Sequence, residues 1–232
     1  MSSLWARLLA RRELPPALAH HAGIRRRIDG RAPLAAADLV VFDTELTGLD
    51  LKRDAIISIG AVRMRGGRIY PGRPFYRLLR PTAELKHQGV VVLGLRHADL
   101  EDAGEPAAVL VDFLAFAGDA VLVGHFVHLD VSFLHRALKT TFGAGLKSPS
   151  VDTVSVHDWL VDNDPTFARH HGGMSLKKDL FTMAKRYGVD VETGHDALYD
   201  AYLAAQLLQR FLPFLARSGV TRLKDLLSVG RA

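Results

Sequence analysis

The 232-residue sequence contains no cysteine. This absence excludes disulfides, thiolate zinc sites, iron–sulfur clusters and cysteine nucleophiles. The sequence also lacks a G-x-S-x-G pattern, so a serine-hydrolase nucleophile elbow is not indicated. No stretch approaches the ~20 consecutive apolar residues that a membrane span needs. We therefore expect a protein without a membrane segment in the reducing cytoplasm, in which any metal is held by oxygen or imidazole ligands.

The composition is that of a folded, basic protein. Hydrophobic residues make up 48% and charged residues 24% of the chain, which is enough to build a core. The formal net charge is +5 and the isoelectric point is about 9.6. Such a charge favours a polyanionic partner, although it does not by itself identify nucleic acid.

The chain divides by composition into three parts. Residues 1–37 are rich in Arg and Ala and are interrupted by prolines, which predicts a basic N-terminal extension. Residues 38–216 carry the regular hydrophobic patterns and predict a single domain of ordinary size. Residues 217–232 are predicted to form a C-terminal tail.

The hydrophobic patterns predict an α/β fold with a mixed sheet. Three strands, beginning at Asp38 and covering 55–64 and 68–79, form an antiparallel meander with a hairpin turn at Gly66-Gly67. The second half alternates helices and strands. The predicted elements are helices at 105–117, 130–141, 175–187 (capped by Ser175) and 196–215, and strands at 121–124 and 151–156. This order predicts a mixed sheet, with both antiparallel and parallel strands, flanked by helices.

Two carboxylates lie at the end of the first apolar strand. Because side chains alternate along a strand, Asp43 and Glu45 share one face. Two like charges at this spacing repel each other unless a cation lies between them. The alternative is that the strand frays at Asp43 and that both acids are solvated turn residues.

A third carboxylate lies beside the apolar stripe of the last long helix. Asp200 is flanked by Ala197 and Ala204 within that pattern. A buried aspartate needs a metal, a charged partner or an exposed rim. His195 cannot share a helical face with Asp200, five residues later, so we place it at the helix start or in the preceding loop.

A fourth carboxylate, Asp130, follows the buried strand at 121–124. It would open a helix, where it could simply act as the N-cap. Its place after the carboxyl end of a strand, where α/β sheets bind their ligands, favours a functional role instead. Several histidines, including His125 and His128, offer a weaker zinc alternative without specific spacing.

Together these residues resemble the DnaQ-like family of 3′–5′ exonucleases, in its DEDDh branch. Residues 42–49 are similar to the first motif, residues 124–134 to the second and residues 195–201 to the third. The three motifs occur in the family's order and cover about residues 38–215. The resemblance implies a ribonuclease H-like mixed sheet, in agreement with the strand and helix pattern.

The resemblance also implies a chemistry. Asp43, Glu45, Asp130 and Asp200 would bind two Mg²⁺ or Mn²⁺ ions, and His195 would be the general base that activates the attacking water. The expected reaction is release of nucleoside 5′-monophosphates from single-stranded or frayed DNA 3′ ends. Substrate contacts are expected from the segments after the first and fourth strands, namely Thr44, Leu46, Thr47, Gly48, Leu49, His125 and Phe126.

Two residues depart from the family's usual motifs. Phe126 stands where Asn is common, and Leu46 stands where Thr is common. Neither is a predicted metal ligand or the base, so the reaction is better indicated than the substrate. The alternatives are a 3′–5′ exoribonuclease or oligoribonuclease of the same family, and an inactive relative that binds nucleic acid or a polymerase. A DNA polymerase is the protein partner that the resemblance suggests.

Overall fold

The computed structural model describes residues 14–80, 103–171, 177–192 and 196–231. Five strands form one sheet. They are β1 (Asp38–Leu46), β2 (Ile56–Arg65), β3 (Arg68–Leu78), β4 (Val121–Gly124) and β5 (Ser150–Asp152). Their order across the sheet is β3-β2-β1-β4-β5. β2 pairs antiparallel with both β1 and β3, whereas β4 runs parallel to β1 and to β5. The predicted mixed sheet is therefore confirmed.

Helices cover both faces of the sheet. They are α1 (Pro16–Ala22), α2 (Ile24–Arg27), α3 (Pro106–Ala117), α4 (His128–Phe142), α5 (Thr153–Asn163), α6 (Pro165–His171), α7 (Leu180–Arg186), α8 (Ala197–Arg217) and α9 (Leu223–Val229), with a 3₁₀ turn at Leu34–Ala36. No helix in the described ranges is long and apolar enough to cross a membrane.

Alternation along β1 divides the core between the two faces. Leu39 and Val41 pack into the cluster that contains the buried side of α8. Val40 and Phe42 pack into the other cluster, with the buried sides of α3 and α4. Because this alternation continues through the polar end of the strand, odd-numbered side chains face α8 and even-numbered ones face α4.

The start of α8 is held against the sheet by a glycine. Asp196 is the N-cap of α8, and its carboxylate accepts hydrogen bonds from the N–H groups of Leu198 and Tyr199, both at 3.0 Å. Gly60 on β2 lies beneath this turn, and a Cβ there would be 2.1 Å from the Leu198 nitrogen. Gly60 also pairs with Asp43 across the ladder. The first turn of α8 therefore lies directly over the carboxylate end of β1.

Two sequence-based predictions of secondary structure were wrong. The predicted strand at 151–156 ends at Asp152, because the Asp152 carboxylate accepts a hydrogen bond from the Val154 N–H at 2.8 Å and starts α5. The predicted helix at 175–187 begins only at Leu180, where Asp179 caps it by accepting from the Thr182 N–H at 2.9 Å. Ser175, the predicted cap, lies outside the described residues. The predicted helix at 130–141 begins two residues earlier, at His128.

The segments on either side of the sheet domain contact it. Leu18 and Leu34 pack into the two core clusters, and the Leu34 N–H donates to the Thr221 carbonyl at 2.8 Å, which joins the two flanking segments to each other. Leu226 of α9 is buried in the core cluster under α8. The division of the chain at 37/38 and 216/217 stays a prediction.

Candidate active site

Three carboxylates meet at the end of β1. Asp43, Glu45 and Asp200 each offer an oxygen, and the three oxygens lie within 4.8 Å of one another. Strand alternation turns Asp43 and Glu45 toward α8, whose first turn carries Asp200. Asp200 is only 7% exposed, as expected from its place beside the apolar stripe. Neither fraying of the strand nor full solvation of these acids is observed, because β1 continues through Leu46.

Asp130 reaches the same end of the sheet from the other face. It lies in the first turn of α4 but not at its cap, which is Val127. Its Oδ1 accepts hydrogen bonds from the Thr44 N–H at 3.0 Å and from the Thr44 hydroxyl at 2.5 Å. Thr44 faces α4 because it is the even-numbered residue between Asp43 and Glu45. These contacts fix the fourth carboxylate on Thr44, the residue between Asp43 and Glu45 in β1.

Burial and neighbouring acidic side chains raise the pKa values of all four carboxylates. Burial, followed by the charges of Asp130, Asp200 and Glu45, holds the pKa of Asp43 well above its usual range. Burial and the Asp196 charge raise the pKa of Glu45 to about 7. Burial raises the pKa of Asp130 to about 7, although hydrogen bonds from Thr44 act in the opposite direction. The pKa of Asp200 is also raised to about 7, by burial and then by Glu45 and Asp196.

This cluster fits a divalent cation. Its donors are all carboxylate oxygens, the ligands that Mg²⁺ and Mn²⁺ prefer. A cation among them would offset the repulsion that raises these pKa values. Within the described ranges, this is the one group of three or more acidic, histidine or cysteine side chains close enough to hold a metal. It contains no histidine, and the buried His157 instead packs edge-on against Phe167 and Tyr187.

The loop after β1 is closed by Asp54. The Asp54 carboxylate accepts from the Thr47 hydroxyl at 3.1 Å and from the Asp50 N–H at 2.8 Å. A Cβ at Gly48 would lie 2.5 Å from Asp54 Oδ2, so the loop can close this tightly only with glycine there. Leu49 is 74% exposed at the tip of the loop. Sequence reasoning missed Asp54, whose partners become visible only once the loop is folded.

The turn after β4 carries two predicted substrate residues, one of which is buried and one partly exposed. His125 is buried, with Nδ1 2.8 Å from the Thr153 hydroxyl and Nε2 2.6 Å from the Lys178 carbonyl oxygen, and burial lowers its pKa. Phe126 is 42% exposed and has a φ of +53°. His195, the predicted general base, lies outside the described residues. Its neighbour Asp196 is described, as the N-cap of α8.

The fold and the acidic site together indicate a class of enzyme. A mixed sheet with helices on both faces, and acidic side chains gathered where parallel strands end, is an α/β architecture suited to metal-assisted phosphoryl chemistry. Residues 40–208 match the RNase T family, described as exonuclease. The chain belongs to this exonuclease family, whose members depend on metal ions. The predicted class of enzyme and the predicted kinship with DnaQ-like exonucleases are confirmed.

Sequence relatives include a DNA polymerase III subunit and a PolC-type DNA polymerase III. The chain is 31% identical over 184 residues to the DNA polymerase III subunit epsilon of Aquifex aeolicus, covering 78% of this chain and 84% of that protein. It is 29% identical over 202 residues to the PolC-type DNA polymerase III of Thermotoga maritima, covering 87% of this chain. The chain spans only 14% of the length of that polymerase.

Solved structures share the fold. Exonuclease X, in complex with 5′-overhanging duplex DNA, superposes with a TM-score of 0.59 at 21% identity, covering 83% of this chain and 99% of that one. Escherichia coli exonuclease I, in complex with a dT13 oligonucleotide, gives a TM-score of 0.64 at 15% identity and covers 78% of this chain and 42% of that one. These similarities confirm the expected ribonuclease H-like fold.

Proposed function

We propose that this protein is a metal-dependent 3′–5′ exonuclease that shortens single-stranded or frayed DNA and releases nucleoside 5′-monophosphates. The observation that carries the proposal is the meeting of Asp43, Glu45 and Asp200 within 4.8 Å at the end of β1. Membership of the exonuclease family supports the reaction class.

The positions of the acidic residues support the roles that we propose for them. Asp43, Glu45 and Asp200 would hold one ion, and Asp43 with Asp130 would hold a second, with Mg²⁺ or Mn²⁺ as the proposed ions. When bound, such ions polarise the scissile phosphate and lower the pKa of water. Thr44 would fix the Asp130 carboxylate through its two hydrogen bonds.

His195 is the proposed general base. An imidazole has an ordinary pKa near neutrality, so it can accept a proton from the attacking water at physiological pH. Asp196, next in the chain, is fixed by its capping bonds at the start of α8. His195→Ala should therefore reduce turnover sharply while DNA binding persists. Unchanged turnover would remove His195 from this role.

The end of β1 and the loop after it are the proposed binding site of the 3′-terminal nucleotide. Leu46, Thr47, Gly48 and Leu49 follow the carboxylates directly, and the exposed Leu49 offers an apolar surface to a base of any identity. The exposure of Leu49 is consistent with sequence-independent trimming, because stacking and apolar contact do not depend on the pattern of base hydrogen bonds.

DNA is the proposed polymer because the relatives are DNA polymerase subunits and domains, and because the fold neighbours are exonucleases bound to DNA. The net charge of +5 is consistent with a polyanion. A DNA polymerase is the proposed protein partner, by similarity to the epsilon subunit. The proposed compartment, for a DNA substrate, is the cytoplasm.

The experiment that tests polarity and polymer uses matched oligonucleotides of DNA and RNA. Each is labelled at the 5′ end or the 3′ end and incubated with Mg²⁺ or Mn²⁺. The proposal expects a ladder from the 5′-labelled DNA, immediate release of labelled mononucleotide from the 3′-labelled DNA, and slower shortening of RNA. Faster shortening of RNA than of DNA would mean that RNA is the preferred substrate. No shortening of either polymer would refute the exonuclease activity.

A further inference from the structure

Phe126 combines two unfavourable features. Its φ of +53° lies in the left-handed region, which a bulky side chain rarely adopts and which costs it free energy relative to glycine. Its aromatic ring is also 42% exposed to solvent. Among the described residues, it is the one non-glycine residue with a positive φ. Such strain persists only where the surrounding structure imposes it, and it is concentrated at functional sites.

The turn that carries Phe126 is anchored on the strand that carries the carboxylates. At its start, Gly124 packs against β1 so closely that a Cβ there would lie 3.1 Å from the Phe42 carbonyl oxygen. At its end, Asp130 accepts the two hydrogen bonds of Thr44. Phe126 lies between these two anchors, which places it at the same edge of the sheet as the acidic cluster.

Two further contacts impose the conformation of Phe126. The Phe126 N–H donates to Asp152 Oδ1 at 3.1 Å, and the same oxygen caps α5 through the Val154 N–H. The neighbouring His125 is fixed from both sides of its ring by Thr153 and Lys178. The rings of His125 and Phe126 meet at 74° with centroids 5.0 Å apart, so the two rings are in edge-to-face contact and do not stack.

We propose that Phe126 is a stacking platform for a nucleobase of the bound single strand, within the three nucleotides nearest the 3′ end. This inference rests on the proposed exonuclease function and adds a second base contact, at the end of β4, to the proposed Leu49 contact after the end of β1. An aromatic face can stack on any base, but the base must be unpaired and must not be stacked on the adjacent base at that face. Phe126 thereby favours single-stranded or frayed ends without reading sequence.

The experiment scans abasic sites against Phe126 variants. DNA oligonucleotides carry a single abasic nucleotide at the first, second or third position from the 3′ end. In the unmodified protein, an abasic site at one of these positions should raise KM on the order of 10-fold, with little effect on kcat. In Phe126→Leu that penalty should disappear at the same position, and Phe126→Tyr should behave like the unmodified protein. Equal penalties in Phe126→Leu and the unmodified protein at all three positions would overturn the proposal.

A binding measurement keeps the test independent of catalysis and of strain. Oligonucleotides with 2-aminopurine at one of the three positions are titrated with the unmodified protein, with Phe126→Tyr and with Phe126→Asn. Asparagine is chosen because it tolerates the left-handed conformation but offers no aromatic face. Stacking should quench the fluorescence at one position with phenylalanine and tyrosine and not with asparagine. Identical quenching in all three proteins would refute the platform. Failure of the unmodified protein to cleave any oligonucleotide would count against the proposed function, while the fluorescence result would still decide the role of Phe126.

Discussion

Gly60 and Leu198 approach so closely that a Cβ on Gly60 would lie 2.1 Å from the Leu198 backbone nitrogen. Gly60 is also the ladder partner of Asp43. The distance between β2 and α8 therefore sets where Asp200, two residues after Leu198, lies relative to Asp43. A contact made by the backbone alone controls the geometry of the carboxylate cluster.

The first prediction concerns this contact. Gly60→Ala should displace the first turn of α8 and destabilise the protein by roughly 1–3 kcal/mol, the usual cost of overpacking. Nuclease activity should fall by more than the loss of folded protein explains, because Asp200 moves with the helix. Urea unfolding and activity per folded molecule measure the two effects. Gly72→Ala on β3 is the matched control, since its Cβ would meet nothing within 4 Å. Similar behaviour of the two variants would contradict the assigned role of Gly60.

The second prediction concerns the hydroxyl of Thr44. Thr44→Val keeps the shape of the side chain and the backbone hydrogen bond but removes the 2.5 Å bond to Asp130. That bond lowers the pKa of Asp130, so its loss should raise this pKa above about 7. Because a hydrogen bond to a charged group contributes about 1.5–3 kcal/mol, activity at pH 7 and limiting Mg²⁺, where protons compete with the ion for Asp130, should drop about 10-fold or more and recover partly at higher pH. The pH–rate profile shows this as an upward shift of its acidic limb. Thr44→Ser should retain the original profile, and an unshifted limb in Thr44→Val would count against the role of the hydroxyl.

The third prediction links metal, pH and stability. The pKa values of Glu45, Asp130 and Asp200 are raised to about 7, so the folded protein binds more protons than the unfolded chain between about pH 4 and 7. In the absence of metal, the stability associated with these groups is highest at acidic pH and is lost as the pH rises through about 7.

A bound cation should reverse this loss because it stabilises the ionised carboxylates. The increase in Tm on adding Mg²⁺ or Mn²⁺ to EDTA-treated protein should be larger at pH 8 than at pH 6. A difference of about 1 kcal/mol corresponds to roughly 2–4 °C for a protein of this size. An increase that is equal at both pH values, or larger at pH 6, would mean that the carboxylates do not bind the ion.

The fourth prediction uses the strain at Phe126. At most positions alanine is more stabilising than glycine, but at a φ of +53° the order should reverse. Phe126→Gly should be more stable than Phe126→Ala by about 1 kcal/mol in urea unfolding. Higher stability of the alanine variant would show that the turn relaxes to an ordinary conformation and is not imposed by Asp152 and His125.

Local patterns predicted the parts of the site that depend on one element. The alternation of β1 was enough to put Asp43 and Glu45 on one face, and helical spacing was enough to put Asp200 beside a buried stripe. Contacts between distant segments were not visible in the same way. The bonds from Thr44 to Asp130 join residues 86 positions apart, and the fit of Gly60 under α8 depends on the final packing of a helix on a sheet.

The errors in secondary structure have a common physical cause. Valines and a threonine after Ser150 favour a strand by propensity, but the hydrogen bond that the Asp152 carboxylate accepts from the Val154 N–H starts a helix there. Asp179 does the same for α7, four residues later than the predicted cap. Several Ser and Asp residues near a helix start can each cap it, and tertiary packing decides which one does. The left-handed conformation of Phe126 was equally invisible, because it results from the contact with Asp152 of β5 and from the contacts that hold the neighbouring His125 on Thr153 and Lys178.

The most direct test of the account measures whether the carboxylate cluster carries the reaction. 5′-labelled single-stranded DNA is incubated under single-turnover conditions with Mg²⁺, with Mn²⁺ and with EDTA, using the unmodified protein, Asp43→Asn and Asp179→Asn. Asp179→Asn removes one charge and leaves a capping side chain at a helix outside the cluster. We predict stepwise shortening from the 3′ end that requires metal, a loss of at least about 1000-fold in Asp43→Asn, and normal rates in Asp179→Asn. Shortening that persists in EDTA or in Asp43→Asn would contradict the account.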